Sequence, residues 1–89
     1  MVSKKVQIVN KLGLHARAAA KFVTMASVFE CDVQLAKGDR VVNGKSIMGV
    51  MMLAAAQGTE LDLMASGSGE DEALVMLSEL IEKRFGEDE

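Results

Sequence analysis

Residues 10–29 of the chain read NKLGLHARAAAKFVTMASVF, and this stretch predicts a loop followed by an amphipathic helix. The loop contains Gly13 and leads to His15, the only histidine of the protein. From Ala16 onward, apolar residues recur at the spacing of one helical face. These residues are Ala19, Phe22, Val23 and Ala26. His15 is therefore expected at the N-terminal end of a helix.

This position suggests a chemical role for His15. The first N–H groups of a helix have no intrahelical partner, and together with the helix dipole they favour a bound anion such as phosphate. We expect the N–H groups of Ala16 and Arg17 to hold phosphate oxygens, and the Arg17 guanidinium to add a permanent positive charge. An imidazole beside such a cradle is a candidate acceptor of a phosphoryl group. The alternative is that His15 is an ordinary surface residue.

The segments on either side predict four strands and three helices in the order βαββαβα. Alternating apolar and polar residues indicate strands at 4–9, 31–36, 40–43 and 60–65. Helical periodicity indicates helices at 16–27, 47–54 and 70–85. Strands of this kind need one covered face, so we predict an α+β fold, an open-faced two-layer β-sandwich with a four-stranded antiparallel sheet. The tail 87–89 is expected to be solvated and frayed.

Composition narrows the class of protein. The 89 residues are 49% hydrophobic with no Trp or Tyr, which predicts a single domain, 1–89, with a largely aliphatic core. A net charge of −3 argues against nucleic-acid binding. The single cysteine, Cys31, excludes an internal disulfide and fits a reducing compartment. We expect a cytoplasmic protein without membrane insertion, since no secretory signal is seen and the longest apolar run, 50–56, is short.

Two motifs carry a resemblance to a known family. The first is Gly13-Leu14-His15-Ala16-Arg17 before an Ala-rich helix, and the second is GKSIMGVMMLA at 44–54. They resemble the active-site and serine-site motifs of HPr, the histidine-containing phosphocarrier family of the phosphoenolpyruvate-dependent sugar phosphotransferase system. The resemblance covers essentially the whole chain. It implies a sheet in the order 1-4-2-3, phosphorylation of His15 on Nδ1 by enzyme I, and transfer of the phosphoryl group to an EIIA domain.

The resemblance also implies roles for other residues and for partner proteins. Arg17 is expected to neutralise the phosphate, and Ser46 to be the site of the HPr kinase/phosphorylase where an organism has one. Ser46 also suits the N-cap of the second helix, which is the structural alternative. We expect a monomeric carrier and not an enzyme, with no cofactor or metal of its own. Its partners would supply the remaining acid, base and metal groups, including magnesium.

A docking surface for those partners is predicted beside His15. The short second helix cannot bury every side, and exposed Met side chains suit a surface that meets several proteins. The apolar residues predicted to contact partners are Leu14, Ile47, Met48 and Met51. The basic residues predicted at the rim of this surface are Lys11, Arg17, Lys21 and Lys45.

Departures from the family pattern leave one alternative within the same chemistry. Ala18 stands where many members have Pro, and we expect slight loosening of the first helical turn without loss of chemistry. Leu12, just before Gly13, resembles the proteobacterial members, including NPr. The alternative function is therefore that of a regulatory phosphocarrier in the nitrogen-related branch of the phosphotransferase system.

Three other functions, the binding of nucleic acid, of a metal ion and of a nucleotide, are disfavoured. A small nucleic-acid-binding module predicts exposed aromatic residues and a basic face, which this composition lacks. A metal site built on His15 and Cys31 has only two candidate ligands. The tripeptide 44–46, Gly-Lys-Ser, resembles the end of a nucleotide-binding loop, but the required glycine at position 39 is Asp39.

Overall fold

The computed structural model describes residues 1–88, which form four strands, three α-helices and a short 3₁₀ helix. The strands are β1 (Val2–Gln7), β2 (Asp32–Lys37), β3 (Arg40–Asn43) and β4 (Glu60–Ser66). The helices are α1 (Ala16–Ala26), α2 (Ile47–Met52), α3 (Glu70–Glu82) and the 3₁₀ helix Arg84–Gly86. Neighbouring strands are antiparallel in the order β1-β4-β2-β3. The predicted fold class and the sheet order implied by the resemblance are confirmed.

The two faces of the sheet differ as the alternation of β4 predicts. Leu61, Leu63 and Ala65 are buried on the covered face. On the open face, Lys5 Nζ of β1 donates a hydrogen bond to Asp62 Oδ1 of β4 at 3.0 Å. That hydrogen bond and the charge of Asp62 raise the pKa of the Lys5 ammonium. Polar side chains thus pair across the solvated face while aliphatic ones form the core.

Helices α1 and α3 cover the apolar face. Their buried residues are Ala18, Ala19, Phe22 and Ala26 in α1, and Ala73, Leu77, Ser78 and Ile81 in α3. The predicted apolar stripe of α1 is confirmed at Ala19, Phe22 and Ala26, whereas Val23 is only partly buried. At the margins of α3, Leu74 and Leu80 are partly buried as well. Both helices are amphipathic, and no helix of residues 1–88 has the length and apolar character needed to cross a bilayer.

Several predicted boundaries shift by one to three residues, and β1 and α2 show two of the larger shifts. Strand β1 spans Val2–Gln7 and not 4–9, and the Ile8 N–H continues the contact with the other chain segment by donating to the Thr59 carbonyl oxygen at 2.9 Å. Helix α2 ends at Met52 and does not reach Ala54, because Ala54 adopts a left-handed backbone with φ of +50°.

The chain after α3 turns back towards α1. Arg84 and Phe85 have left-handed φ values of +59° and +54°, so the predicted helix to residue 85 is wrong at its end. The Phe85 side chain is buried in the core, and Lys21 Nζ donates to the Phe85 carbonyl oxygen at 2.8 Å. This turn directs the following residues towards the start of α1.

The loop before α1 is held against the segment that follows α2. The Leu14 N–H donates to the Ala55 carbonyl oxygen at 2.9 Å. Gly13 has φ of +69°, and a Cβ atom there would lie only 2.5 Å from that oxygen. Glycine is therefore required at this position for two reasons, its backbone conformation and the close approach of another chain segment. The loop places His15 directly before α1.

We expect Gly13→Ala to destabilise the protein more than Gly38→Ala. Both positions have a positive φ, but a Cβ atom at Gly38 would meet nothing within 4 Å. The backbone penalty is therefore shared, and the clash with Ala55 should add about 1–3 kcal/mol for Gly13→Ala alone. Urea denaturation of both variants measures the difference in free energy of unfolding. Equal losses would show that the loop moves away from Ala55 without cost.

Candidate functional site

His15 is the N-cap residue of α1, so its predicted position is confirmed. Its backbone is extended, and its carbonyl oxygen accepts the N–H of Ala19 at 2.9 Å. Its Nδ1 accepts the N–H of Arg17 at 3.3 Å, which gives an imidazole nitrogen the capping role usually filled by a Ser or Asp oxygen. The side chain is 29% exposed. The ring thus lies next to the first amides of the helix and remains open to solvent on one side.

Glu87 occupies the other edge of the imidazole. Its Oε2 lies 2.5 Å from His15 Nε2, and its Oε1 accepts a hydrogen bond from Asn10 Nδ2 at 2.9 Å. The Glu87 side chain is only 14% exposed. The predicted solvated tail is therefore wrong for Glu87, which the ring and the amide hold in place. Asp88 is exposed, and residue 89 lies outside the described residues.

The environment of Glu87 favours its ionised form. Burial by itself would raise the pKa of this carboxyl. Hydrogen bonds from Asn10 and His15, together with the positive charges of His15 and Lys21, outweigh burial and lower the pKa below its ordinary value of 4.5. Glu87 is thus a carboxylate at neutral pH and can only accept hydrogen bonds from the ring.

Asn10 connects the loop and the tail at this site. The residue is fully buried, and its Nδ2 donates to the Gly13 carbonyl oxygen as well as to Glu87, both at 2.9 Å. One amide group therefore fixes the loop that precedes His15 and the carboxylate that contacts it.

Most of the residues predicted to hold or attract phosphate lie near the His15 ring. Lys11, Ala16, Arg17 and Lys21 line the same surface depression as His15 and Glu87. Arg17 is exposed, as a residue that meets an incoming phosphate must be. The Lys21 ammonium also holds the Phe85 carbonyl oxygen, so it has a structural role beside its charge.

Lys45 lies apart from the basic residues around His15 and next to α2, the other part of the predicted docking surface. Its Nζ donates to the carbonyl oxygen of Phe29 at 2.6 Å, beyond the C-terminal end of α1. His15 caps the opposite end of that 11-residue helix, about 16 Å away at 1.5 Å per residue. Lys45 therefore borders α2 but not the histidine.

An exposed apolar surface is present on α2. We call it the α2 patch, and it consists of Ile47, Met48, Met51 and Met52, of which Met52 was not predicted. Val50 and Leu53 are buried beneath it. Leu14 was predicted to contact partners, and this is wrong because its side chain is 6% exposed and packs in the core. Large apolar side chains exposed together mark a surface suited to protein partners.

Ser46 is the N-cap residue of α2, as predicted. Its Oγ accepts the N–H of Gly49 at 3.1 Å, and its own N–H donates to the Asn43 carbonyl oxygen at 3.1 Å. The side chain is partly exposed. The residue thus combines a structural cap with access to solvent.

Sequence reasoning missed the parts of the site that are distant in the chain. Glu87 lies 72 positions from His15, and no local pattern links the two. The burial of Asn10 could have been suspected only from its place just before a glycine loop.

Within residues 1–88, no three His, Cys, Asp or Glu side chains gather in a way that could hold a metal ion, and Cys31 is a buried thiol.

Comparisons with known proteins agree with this geometry. A family model described as "PTS HPr component phosphorylation site" matches residues 2–83. The phosphocarrier protein HPr of Neisseria meningitidis serogroup A is 53% identical over 89 residues, which cover all of both chains. The crystal structure of HPr-C-His from Thermoanaerobacter tengcongensis superposes with a TM-score of 0.96 at 46% identity, with both chains fully covered. An HPr dimer from the same organism gives a TM-score of 0.78 at 47% identity, covering 98% of this chain and all of that one.

We expect Ser46→Ala to lower the free energy of unfolding by about 1 kcal/mol, because the Gly49 N–H loses its side-chain acceptor. Ser46→Asn is the matched control, since an Asn side chain caps a helix as well as Ser does. Thermal or urea denaturation of the three proteins measures the effect. If the Asn variant is as unstable as the Ala variant, the cap is not the source of the stability.

Proposed function

Because the chain belongs to the HPr family of phosphocarrier proteins, we propose that His15 accepts a phosphoryl group on Nδ1 from phosphorylated enzyme I and passes it to EIIA domains. As a phosphocarrier of the phosphotransferase system, the protein is a carrier and not an enzyme. The observation that carries the proposal is the position of the His15 ring, whose Nδ1 faces the Arg17 N–H at the start of α1.

The geometry suits reversible transfer of a phosphoryl group. A phosphohistidine must be stable enough to form and reactive enough to pass its phosphoryl group on. Amides at a helix N-terminus hold phosphate oxygens without placing an acidic proton on the leaving nitrogen. Each charge-assisted contact of this kind contributes on the order of 1.5–3 kcal/mol. The Arg17 guanidinium, exposed beside the ring, adds charge neutralisation during in-line displacement.

The α2 patch and the basic residues near His15 form the proposed docking surface. The patch offers adaptable methionine side chains that can pack against more than one partner. Arg17 and Lys21 attract acidic partner surfaces and accelerate encounter with them. One surface of this kind serves both the donor and the acceptor of the phosphoryl group.

Phosphorylation of Ser46 by an HPr kinase/phosphorylase is a regulatory part of the proposal, where an organism has that enzyme. Phosphate at a helix N-cap is compatible with the fold, because the helix dipole favours negative charge there. Its effect would be to add roughly two negative charges beside the α2 patch. Acidic partners would then be repelled from the docking surface.

The remaining expectations concern cofactor, compartment and assembly. We propose that the carrier needs no cofactor, that magnesium is required by its partner enzymes, and that transfer takes place in the cytoplasm. We propose a monomer in solution, which sedimentation distinguishes from a dimer of the kind described for the Thermoanaerobacter protein.

The alternative is a regulatory carrier of the nitrogen-related branch, similar to NPr. Leu12 favours it, since this residue resembles the corresponding position of proteobacterial members that include NPr. The Leu12 side chain is exposed beside His15, where a partner would contact it. The two functions share their chemistry and differ in the partners that give and receive the phosphoryl group.

Incubation with phosphoenolpyruvate, magnesium and enzyme I should give one acid-labile phosphate per chain. Intact-mass measurement should show this addition in the natural protein and not in His15→Ala, because His15 is the only histidine of the sequence and supplies the nucleophilic imidazole. A phosphate retained by His15→Ala would contradict the assignment.

Parallel reactions with the sugar-branch and nitrogen-branch enzymes I decide between the two functions, and we expect faster uptake from the sugar-branch enzyme.

We expect Ser46→Asp to slow phosphoryl uptake from enzyme I by about tenfold, which corresponds to about 1.4 kcal/mol of repulsion. Ser46→Asn is the matched control, because it keeps a cap on α2 without adding charge. Initial rates at low and high salt measure the effect, which should shrink as salt screens the charge. Equal rates for the Asp and Asn variants would rule out the repulsion mechanism.

A further inference from the structure

We infer that Glu87 is a positioning residue for phosphoryl transfer, which holds the His15 proton on Nε2 and so keeps Nδ1 unprotonated and able to bond to phosphorus. This inference rests on the proposed function of His15 and extends it to the tail of the chain. The carboxylate contact, the capping amide and the folded tail support it independently.

The contacts of the ring define where its proton resides. A carboxylate only accepts hydrogen bonds, so the 2.5 Å contact between Glu87 Oε2 and His15 Nε2 places the proton on Nε2. Nδ1 accepts the Arg17 N–H at 3.3 Å, which requires a lone pair on that nitrogen. Both contacts select the same tautomer of the neutral imidazole, in which Nδ1 is the nucleophile.

Glu87 is itself held in position. Its second oxygen, Oε1, accepts a hydrogen bond from the buried amide of Asn10, which also binds the Gly13 carbonyl oxygen. The lowered pKa of the carboxyl keeps it ionised at neutral pH. A charged group held through Oε1 can orient the ring through Oε2, as the second partner of a catalytic histidine does in other proteins.

The tail is folded in a way that delivers this carboxylate. Phe85 is buried and its carbonyl oxygen is bound by Lys21 Nζ at 2.8 Å. Arg84 and Phe85 both adopt left-handed backbone conformations, which non-glycine residues rarely do. Rare conformations persist only where surrounding contacts enforce them, and here they direct Glu87 onto His15.

Phosphoryl transfer to His15 requires no movement of a proton. The Nδ1 lone pair gives up the hydrogen bond from the Arg17 N–H and forms the bond to phosphorus, while the bond between phosphorus and the donor atom breaks and its electron pair stays with the donor. The ring then carries a positive charge with its proton still on Nε2, and the Glu87 carboxylate stabilises that charge. When the phosphoryl group leaves, the bonding pair returns to Nδ1 and the ring is neutral again.

The pH dependence of the contact follows from the charges around the ring. The loop contributes Lys11, α1 contributes Arg17 and Lys21, and the tail contributes Glu87 and Asp88. The pKa of Glu87 is lowered from 4.5, so its stabilising contact is intact above that pH and is lost as the pH falls through the lowered pKa. The contact is therefore fully present at neutral pH, where the carrier would act.

The test uses the whole chain and ¹⁵N NMR of the His15 ring at about pH 8, where an ordinary imidazole is neutral. We expect the Nε2–H tautomer to predominate in the natural protein and in Glu79→Gln. Glu79 is an exposed residue of α3, so its substitution removes the same charge without touching the ring. In Glu87→Ala the ring loses its acceptor and only the longer contact with the Arg17 N–H, at 3.3 Å, still favours Nε2–H, so we expect the Nδ1–H tautomer to become populated.

Rates of phosphoryl uptake provide the second readout. We expect Glu87→Gln and Glu87→Ala to take up the phosphoryl group from enzyme I about tenfold more slowly than the natural protein, with Glu79→Gln unchanged. An unchanged tautomer and an unchanged rate in Glu87→Ala would overturn the inference. If the natural protein itself is not phosphorylated on His15, the proposed function fails, whereas the tautomer measurement still decides the role of Glu87 on the unphosphorylated ring.

Discussion

The close approach of residues 10–14 to Ala55 is the constraint on which the site depends. Gly13 allows this approach because it lacks a side chain and adopts a positive φ, and the Leu14 N–H completes it by donating to the Ala55 carbonyl oxygen. With the loop held there, His15 lies directly before α1 as its N-cap residue. Its imidazole then caps the helix with one nitrogen and meets the tail with the other. The chemistry of the site is therefore a consequence of how a glycine loop packs.

The division of the molecule into two faces places the histidine and the exposed apolar patch on the same, helical side. The open face of the sheet is covered by polar pairs such as Lys5 and Asp62, which water solvates well. The helical side carries both the histidine and the α2 patch of exposed methionines. The apolar core between these faces supplies rigidity, while the exposed part of α2 supplies the adaptable surface.

Local patterns were sufficient for most of the fold and for the centre of the site. The alternation of Leu61, Leu63 and Ala65 predicted β4 and its buried face, and the Ala-rich periodicity after His15 predicted α1. The predictions that were wrong concern features that tertiary contacts determine. Leu14 points into the core although its position in the motif suggested a surface role, and Ala54 ends α2 through a backbone conformation that its residue type does not reveal. Glu87 approaches His15 only because a buried phenylalanine turns the chain, and no window of sequence contains both residues.

The 72 positions between His15 and Glu87 also bear on how the protein folds. Closing so large a loop has an entropic cost, which is smaller once the sheet and both long helices have brought its ends together. The ring and its carboxylate are therefore expected to come together late, after the hairpin β2–β3 and the first helix have formed. Folding intermediates would possess the nucleophile without its partner. The full rate of phosphoryl transfer that we propose would thus require the completed tertiary structure, including the contact of Glu87 with His15.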